Sequence, residues 1–328
     1  MDIKYFFKML KKVNIKDVKK DTKKLSKKID KSYISILFDM ALCNMKYGCS
    51  YKEYILYEFY SLNEEEKKTY ITEKINNEII DKYNSKEDMY ILNDKGAFNK
   101  YFKDYIGRDF LDLREASFKD FSDFINNKNI IVCKTVNNYL DNKVEYIEIE
   151  KDKLKNEYNI LKIYNSIIKK EEYIIEEYLK YNGKFNNNGL NSLKVTTFIN
   201  DKGDVKILNS VLRINNGNND VLESLVNKEG VVYTYAVDKK GHTFIEHPKL
   251  FERIKDYQIP DYEEIIEKVK TIAKQVKTIR YASYSLSRTN KGIVVLNANA
   301  NPTCFQMSPS KCNKKEGMLL KYKEHIKL

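Results

Sequence analysis

Residues 292–302 read GIVVLNANANP, and this stretch decides the fold. A run of apolar, β-branched residues is followed by alternating small and amide residues and then by proline, which is typical of a buried strand that ends in a turn. Side chains alternate along a strand, so Asn297 and Asn299 should point to the same face. Two amide oxygens at one point suit a hard cation or a phosphate, whereas an Asn/Pro turn explains the same residues without a ligand.

The composition indicates a globular chain with one concentrated basic segment. Of 328 residues, 42% are hydrophobic and 12% aromatic, which is too many for a disordered chain. The net charge is +12, and residues 1–31 hold twelve lysines against four aspartates, so +8 of it lies there. Only six of the 59 basic residues are arginine, and A/T-rich codon usage accounts for part of the lysine excess. The basic balance alone is therefore weak evidence for a polyanionic partner.

Location is predicted from the cysteines and the hydrophobic runs. Five cysteines without a CxxC pair argue against a disulfide framework or a structural zinc site and favour a reducing cytoplasm. The opening MDIKYFFKMLKK carries charges where a signal peptide would be apolar, and the apolar run 33–42 is too short to span a bilayer. Residues 1–31 have a helical apolar stripe between lysines. This stripe predicts either a solvated helix packed on its own domain or peripheral contact with an anionic membrane.

The pattern changes from helical to mixed along the chain. Helices are expected at 33–47, from a capping box at Asn63 and Glu66 to about residue 83, at 94–107, at 117–127, at 154–168 and at 261–277. Strands are expected at 129–134, 144–150, 173–179, three between 193 and 237, 281–287 and 293–296. Because hairpins connect most of these strands, the fold class is α+β with largely antiparallel sheets. We divide the chain into a helical region (1–85) and two α+β subdomains (86–172 and 173–328).

Several residues supply the side chains that ATP-dependent carboxylate activation requires. Such chemistry needs lysines on separate elements to neutralise phosphates, a hinge that holds adenine, and ligands for Mg²⁺. Candidates follow one another along the chain, each a common residue type by itself: Lys95 in NDKGAF, Lys134 at a strand end, Glu176 and Glu177 after YII, Lys194 in NSLKVTTF, Arg213 in VLRI, His247–Pro248, Ile259–Pro260, and the LNANANP exit.

This series resembles the sugar-transfer-associated ATP-grasp family, which is related to alpha-L-glutamate ligases, over about residues 34–310. The resemblance implies an ATP-grasp fold, in which two α+β subdomains enclose a nucleotide cleft after a helical N-terminal region. It also implies ATP and Mg²⁺ as cofactors. The implied site residues are Lys95 and Lys134 at the phosphates, Glu176, Glu177 and Tyr178 at adenine and ribose, Arg213 and Lys194 in catalysis, and Asn299, Asn297 and Asp220 at the metal.

The chain departs from the family pattern where metal and phosphates are handled. Asn297 stands where the family has glutamate, and RYASYS at 280–285 has no acid where the family has Trp-Asp. No glycine occurs between Gly107 and Gly183, so the glycine-rich flap is missing, and Asp220 alone remains of another acidic element. The missing carboxylates leave substitution by Asp220, Glu223 or Glu246 as one explanation and loss of efficient catalysis as the other.

Three functions follow from these observations. The first is an ATP-dependent carboxylate–amine ligase that forms an acyl phosphate on a cell-envelope or glycan-related precursor, as in polysaccharide biosynthesis. The second is a catalytically impaired ATP-grasp pseudoenzyme that acts as a binding or regulatory partner. The third, a nucleic-acid binder, is disfavoured because the tyrosines lie mainly at helix-core spacings and do not alternate with basic residues.

Overall fold

The fold is seen in a computed structural model that describes residues 14–136, 144–150, 152, 154, 156–169, 172–187, 189–217 and 220–328. The first part of the basic segment, 1–13, lies outside the described residues. Residues 137–143, most of the stretch after Lys134 where the family has its glycine-rich flap, also lie outside the described residues.

The N-terminal region is helical, as expected. Its helices are α1 (Ile15–Ile29), α2 (Tyr33–Tyr47), α3 (Tyr51–Leu56), α4 (Glu64–Lys67) and α5 (Glu73–Tyr83), with a 3₁₀ turn at Phe59–Ser61. Helix α2 has the predicted bounds, because Ser32 caps its start and Gly48, at φ 65°, ends it. The helix predicted from residue 63 to about 83 is instead two helices. Its capping box forms at Asn63 and Glu66, but Tyr70 turns fully into the core between α4 and α5.

A second group of short helices leads into the first strand. These elements are α6 (Tyr90–Asn93), α7 (Lys95–Tyr101), α8 (Lys103–Ile106) and β1 (Phe110–Asp112). Asp94 caps α7 by accepting from the Ala97 amide at 2.8 Å, and Gly107 ends α8 at φ 60°. The predicted single helix at 94–107 is therefore interrupted at Phe102, whose backbone leaves the helical region at φ −105°.

A four-stranded antiparallel sheet follows, in the order β1-β4-β2-β3. Its other strands are β2 (Ile130–Thr135), β3 (Val144–Glu148) and β4 (Tyr173–Glu177). Two helices, α9 (Phe118–Asn126) and α10 (Glu157–Ile168), share one hydrophobic cluster with this sheet. Ser117 caps α9 in a capping box, as the sequence predicted.

The second sheet is antiparallel and has seven strands in the order β11-β10-β5-β6-β7-β8-β9. The strands are β5 (Ser192–Ile199), β6 (Val205–Gly217), β7 (Asp220–Val226), β8 (Ala236–Val237), β9 (Thr243–Phe244), β10 (Tyr281–Thr289) and β11 (Gly292–Asn299). Helix α11 (Tyr262–Ala273) covers one face through Val269 and Ile272, which cluster with Val195 and Ala282. Strand β11 extends through Asn299, so Asn297 and Asn299 lie within a paired strand and not beyond its end.

The C-terminal segment connects the large sheet to the N-terminal helices. It contains α12 (Pro309–Cys312) and α13 (Leu319–Lys323). The Gln306 amide exchanges two hydrogen bonds with the backbone of Ile71, at 2.9 and 2.8 Å. The helical region is thereby held close to the end of β11.

Candidate active site

A buried charge cluster lies where β4 meets β2 and β11. Glu176, on β4, accepts from Asn99 at 2.7 Å, from Arg108 at 2.9 Å and from Lys134 at 2.5 Å. Arg108 also places Nε 2.8 Å from Glu176, although that N–H does not point along a hydrogen bond. Its other N–H groups donate to the carbonyls of Val295 and Leu296 at 2.8 and 3.0 Å. Arg108 therefore joins the small sheet to the large sheet.

The environment of Glu176 sets its charge. Burial disfavours the carboxylate, but Arg108 and Lys134 outweigh burial and lower the pKa of Glu176 to about 2. Burial also lowers the pKa of Lys134 from its ordinary value. Glu176 is the carboxylate through which the two buried cations are compensated.

Lys95 and Lys134 converge from different elements. Lys95 begins α7 and donates through Nζ to the carbonyl of Thr135, the residue after Lys134, at 2.7 Å. Burial and then the neighbouring charge of Lys134 lower the pKa of Lys95 to about 8. Two ammonium groups held this close are favourably placed for an anion, because a phosphate relieves their repulsion.

The predicted adenine and ribose residues are brought together around a small space. A cavity of about 30 Å³ is lined by Glu176, Glu177, Tyr178 and Lys134 among others, while ordinary ligand pockets measure about 300–1,000 Å³. The ring of Tyr178 meets Tyr146 edge to face, with centroids 6.0 Å apart. Glu177 points outward and pairs with Lys291 at 2.7 Å. A nucleotide at this place requires the cavity to widen.

One face of the large sheet, called the polar face below, carries two rows of polar side chains. Antiparallel register places Asn297 opposite Ser285, and Ser285 opposite Lys194. A second row runs in the same way through four strands: Asn299, Ser283, Thr196 and Asn209. Residues directly opposite one another in an antiparallel sheet share a face. Both rows therefore lie on the face of the sheet opposite to the one that α11 covers.

The two predicted catalytic cations belong to this face. Lys194 donates to the Thr303 hydroxyl at 3.3 Å, and burial followed by the charge of Arg213 lowers the pKa of Lys194. Arg213 lies one strand away, with Nε 3.0 Å from Glu223. Lys194 and Arg213 can therefore meet one anion, with Glu223 as the nearest carboxylate partner.

The three predicted metal residues are not brought to one point. Asn297 and Asn299 share a face of β11, as predicted, but the Asn299 side-chain oxygen accepts from the Asn301 amide at 2.7 Å. Asp220 begins β7, four strand spacings from β11, and donors separated by about 19 Å cannot share one ion. Among the described residues, no group of three or more His, Cys, Asp or Glu side chains could hold a metal. The donors at 297 and 299 are neutral amides beside serines and do not fit a carboxylate-held Mg²⁺.

Sequence reasoning missed Arg108 and Asn99. Both are buried and both contact Glu176, yet neither lies in a motif that marks it. The only local signal was the arginine itself, one of six in a chain of lysines, directly after Gly107.

Two antiparallel sheets joined through Arg108, with Lys95 and Lys134 beside the small sheet and a polar face on the large one, are the arrangement expected of an ATP-grasp protein. The sequence model of the sugar-transfer associated ATP-grasp family matches residues 126–319, more than half of the chain. The chain belongs to this family, and its α+β fold with a helical N-terminal region is confirmed.

Three solved structures match part of this chain at low sequence identity. N5-carboxyaminoimidazole synthetase from Staphylococcus aureus is 13% identical, with a TM-score of 0.39 over 65% of this chain and 45% of that one. The ATP-grasp ligase PsnB, with a phosphomimetic precursor variant, Mg and ADP, is 14% identical, with 0.41 over 70% and 57%. D-alanine-D-alanine ligase from Coxiella burnetii is 11% identical, with 0.36 over 67% and 51%. The chain thus spans about half the length of these proteins, and no curated protein sequence matches it.

Within the described part of the chain, no helix has the length and apolar character needed to cross a membrane.

Proposed function

We propose that this protein is an ATP-dependent carboxylate–amine ligase that acts on a cell-envelope or glycan-related precursor. The observation that carries the proposal is the convergence of Lys95 and Lys134 between the two sheets. Lys194 and Arg213 add a second pair of cations on the polar face of the large sheet, where burial and then the charge of Arg213 lower the pKa of Lys194. Family membership supports a nucleotide as the anion.

The proposed reaction has two steps. A substrate carboxylate oxygen attacks the γ-phosphorus of ATP, which releases ADP and forms an acyl phosphate. The amine then attacks the acyl carbon and releases phosphate. Lys95 and Lys134 would hold the ATP phosphates, Glu177 and Tyr178 would line the adenine and ribose, and Lys194 and Arg213 would stabilise charge on the transferred phosphoryl group.

Nucleotide binding has to rearrange the Glu176 cluster. Lys134 is paired with Glu176, so its ammonium must turn from that carboxylate to a phosphate. Arg108 keeps its contacts to Glu176 when Lys134 leaves, so the buried carboxylate stays compensated. Because Lys134 lines the small cavity together with Tyr178, the same movement would widen it.

A second candidate is a pseudoenzyme that binds nucleotide as a regulatory or binding partner. This candidate is supported by the uncharged side chains on the polar face of the large sheet, where Asn297 lies opposite Ser285 and Asn299 lies opposite Ser283. Amides and hydroxyls bind a divalent cation much more weakly than carboxylates, because they bring no charge. This candidate predicts ATP binding with little dependence on Mg²⁺.

We also propose a cytoplasmic location with peripheral contact to an anionic membrane through residues 1–31. The described part of this segment, helix α1, exposes Lys19, Lys23 and Lys27 to solvent. Exposed lysines on an amphipathic helix are attracted by anionic lipid headgroups.

Phosphate release separates the two candidates. The protein is incubated with ATP and MgCl₂, alone and with uronic acids or amino acids as carboxylates and ammonia as amine. Release stimulated by a carboxylate, and lost in Arg213→Ala while ATP binding remains, supports the ligase. ATP binding without stimulated release supports the pseudoenzyme, and a protein that does not bind ATP contradicts both.

A further inference from the structure

A cavity lined by several lysines lies between the helical region and the large sheet. It encloses about 950 Å³, the volume of a ligand pocket, and its walls come from α1, α3, the β8–β9 turn and residues 303–311. Lys194 and Glu223 form part of its floor. The cavity is therefore continuous with the polar face on which the proposed chemistry takes place.

Lysines dominate the walls of this cavity. Seven lysines line it against four carboxylates. Helix α1 contributes Lys24 and Lys28, which lie four residues apart and so on one helical face with Asp21 and Leu25. Lys311 reaches in from α12, where burial lowers its pKa and the charges of Glu58, Asp238 and Lys28 act on it in that order. The walls therefore bring cations from two distant parts of the chain to one space.

Most of the carboxylates in the cavity already have other partners. Asp238 pairs with His242 at 2.8 Å, and Glu223 pairs with Arg213 at 3.0 Å. Glu58, held in a left-handed conformation at φ 54°, accepts from the amide and hydroxyl of Ser310 at 3.0 and 2.6 Å. In the described part of the chain, none of the seven lysines lies within 4.0 Å of a carboxylate oxygen. With seven lysines against four carboxylates, the net charge of the cavity lining is positive.

The remaining wall is aromatic and apolar. Tyr51, Tyr57, Tyr60 and Phe305 line it beside Leu25 and Met307. A ligand that fits has an anionic end and a less polar body. A phosphate ester on a ring-bearing small molecule meets both requirements.

We propose that this cavity binds a small phosphate-bearing substrate, whose phosphate is held by Lys28 and Lys311 and whose body lies against the tyrosines. Its role as the substrate rests on the proposed ligase function, whereas its capacity to bind phosphate does not. The floor at Lys194 would then bring the reacting group of this ligand to the proposed site of acyl transfer.

Pyrophosphate is the probe for this site, and calorimetric titration measures its affinity. Lys28→Gln with Lys311→Gln should weaken pyrophosphate binding at least tenfold, because two charge-assisted contacts are lost. The Arg double variant at the same positions should restore most of the affinity. Lys19→Gln with Lys23→Gln is the matched control, since it removes the same charge from the opposite face of α1. Melting temperatures check that each variant is folded.

Two further measurements determine which part of the protein binds the pyrophosphate. Pyrophosphate also suits the nucleotide lysines, so only the part of its binding that is lost in the Lys28/Lys311 double variant is assigned to the cavity, and Lys134→Ala should change the affinity of that part less than threefold. Loss of pyrophosphate binding in Lys134→Ala, with unchanged binding in the Lys28/Lys311 double variant, would place it at the nucleotide lysines and overturn the proposal. Equal effects of the cavity and control variants, or binding of citrate in preference to pyrophosphate, would overturn it too. Displacement of pyrophosphate by phosphatidate vesicles would assign the phosphate to a lipid headgroup, and its absence to a soluble ester.

The proposed function and this inference can fail separately. A protein that binds pyrophosphate through Lys28 and Lys311 but does not bind ATP keeps the phosphate site and contradicts the ligase. If the protein releases phosphate from ATP but its pyrophosphate binding is unchanged in the cavity variants, the ligase proposal stands and the phosphate site is contradicted.

Discussion

Neutralising Glu176 should destabilise the fold more than any neighbouring charge change. In Glu176→Gln, Arg108 and Lys134 remain buried without a carboxylate, and breaking a buried ion pair from one side costs about 3–5 kcal/mol. The pKa of Glu176 leads to a similar figure. Its depression from 4.5 to about 2 corresponds to about 3 kcal/mol of stability from the charged carboxylate.

The pH dependence of this contribution has a definite sign. Because the folded pKa is depressed, the stability is fully present above about pH 4.5 and is lost as the pH falls towards about 2. At pH 3 the parent should already have lost about 2 kcal/mol of it. The difference in unfolding free energy between the parent and Glu176→Gln should therefore be largest at pH 7 and smaller by about 2 kcal/mol at pH 3.

Denaturant unfolding at both pH values measures these differences, with Glu177→Gln as the control. Glu177 is the next residue and also pairs with a lysine, but its side chain is 21% exposed and that of Lys291 is 41% exposed. An exposed pair of this kind contributes less than about 1 kcal/mol. If Glu176→Gln costs no more than Glu177→Gln, the buried cluster does not hold the two sheets as described.

Three further predictions concern binding. Lys134→Ala should weaken ATP binding by about 1–3 kcal/mol, whereas Lys128→Ala, near the start of the same strand, should leave the calorimetric affinity unchanged. Asn297→Asp combined with Ser283→Asp should raise ATP affinity at least tenfold in the presence of Mg²⁺ and lower it in its absence. The reason is that the added carboxylates attract a divalent cation and repel phosphates that carry no metal. If neither titration changes, the end of β11 does not bind the metal. The membrane prediction is tested with a variant that lacks residues 1–13 and has Lys19, Lys23 and Lys27 replaced by Gln. This variant should sediment with anionic liposomes at low salt at least tenfold less than the parent. If sedimentation is not reduced, the membrane contact lies elsewhere in the protein.

Local sequence signals predicted the elements better than their extents. The bounds of α2 followed from Ser32 and Gly48, and the Asn63–Glu66 capping box formed as expected. The helix begun at Asn63 stopped early because Tyr70 is buried in the core of the helical region, which is a tertiary contact. Propensity and capping act within a few residues, so they cannot reveal such a stop.

The sequence predicted only those features of the candidate site that depend on residues close together along the chain. Alternation placed Asn297 and Asn299 on one face, and the register agrees. Asp220 was grouped with them on the family resemblance alone, and the strand order, which hairpin patterns do not give, places three strands between them. Arg108 contacts Glu176 across 68 residues and Leu296 across 188, and no local pattern encodes such pairings.

The central claim is that the cleft between the two sheets binds ATP through Lys95 and Lys134. Calorimetric titration of ATP into the parent protein and into Lys95→Ala with Lys134→Ala, each with and without Mg²⁺, tests it most directly. We predict saturable 1:1 binding to the parent that falls at least a hundredfold in the double variant, because two charged contacts are lost. Equal ATP affinity in the parent and a folded double variant, or the absence of binding to the parent under both conditions, would contradict the claim.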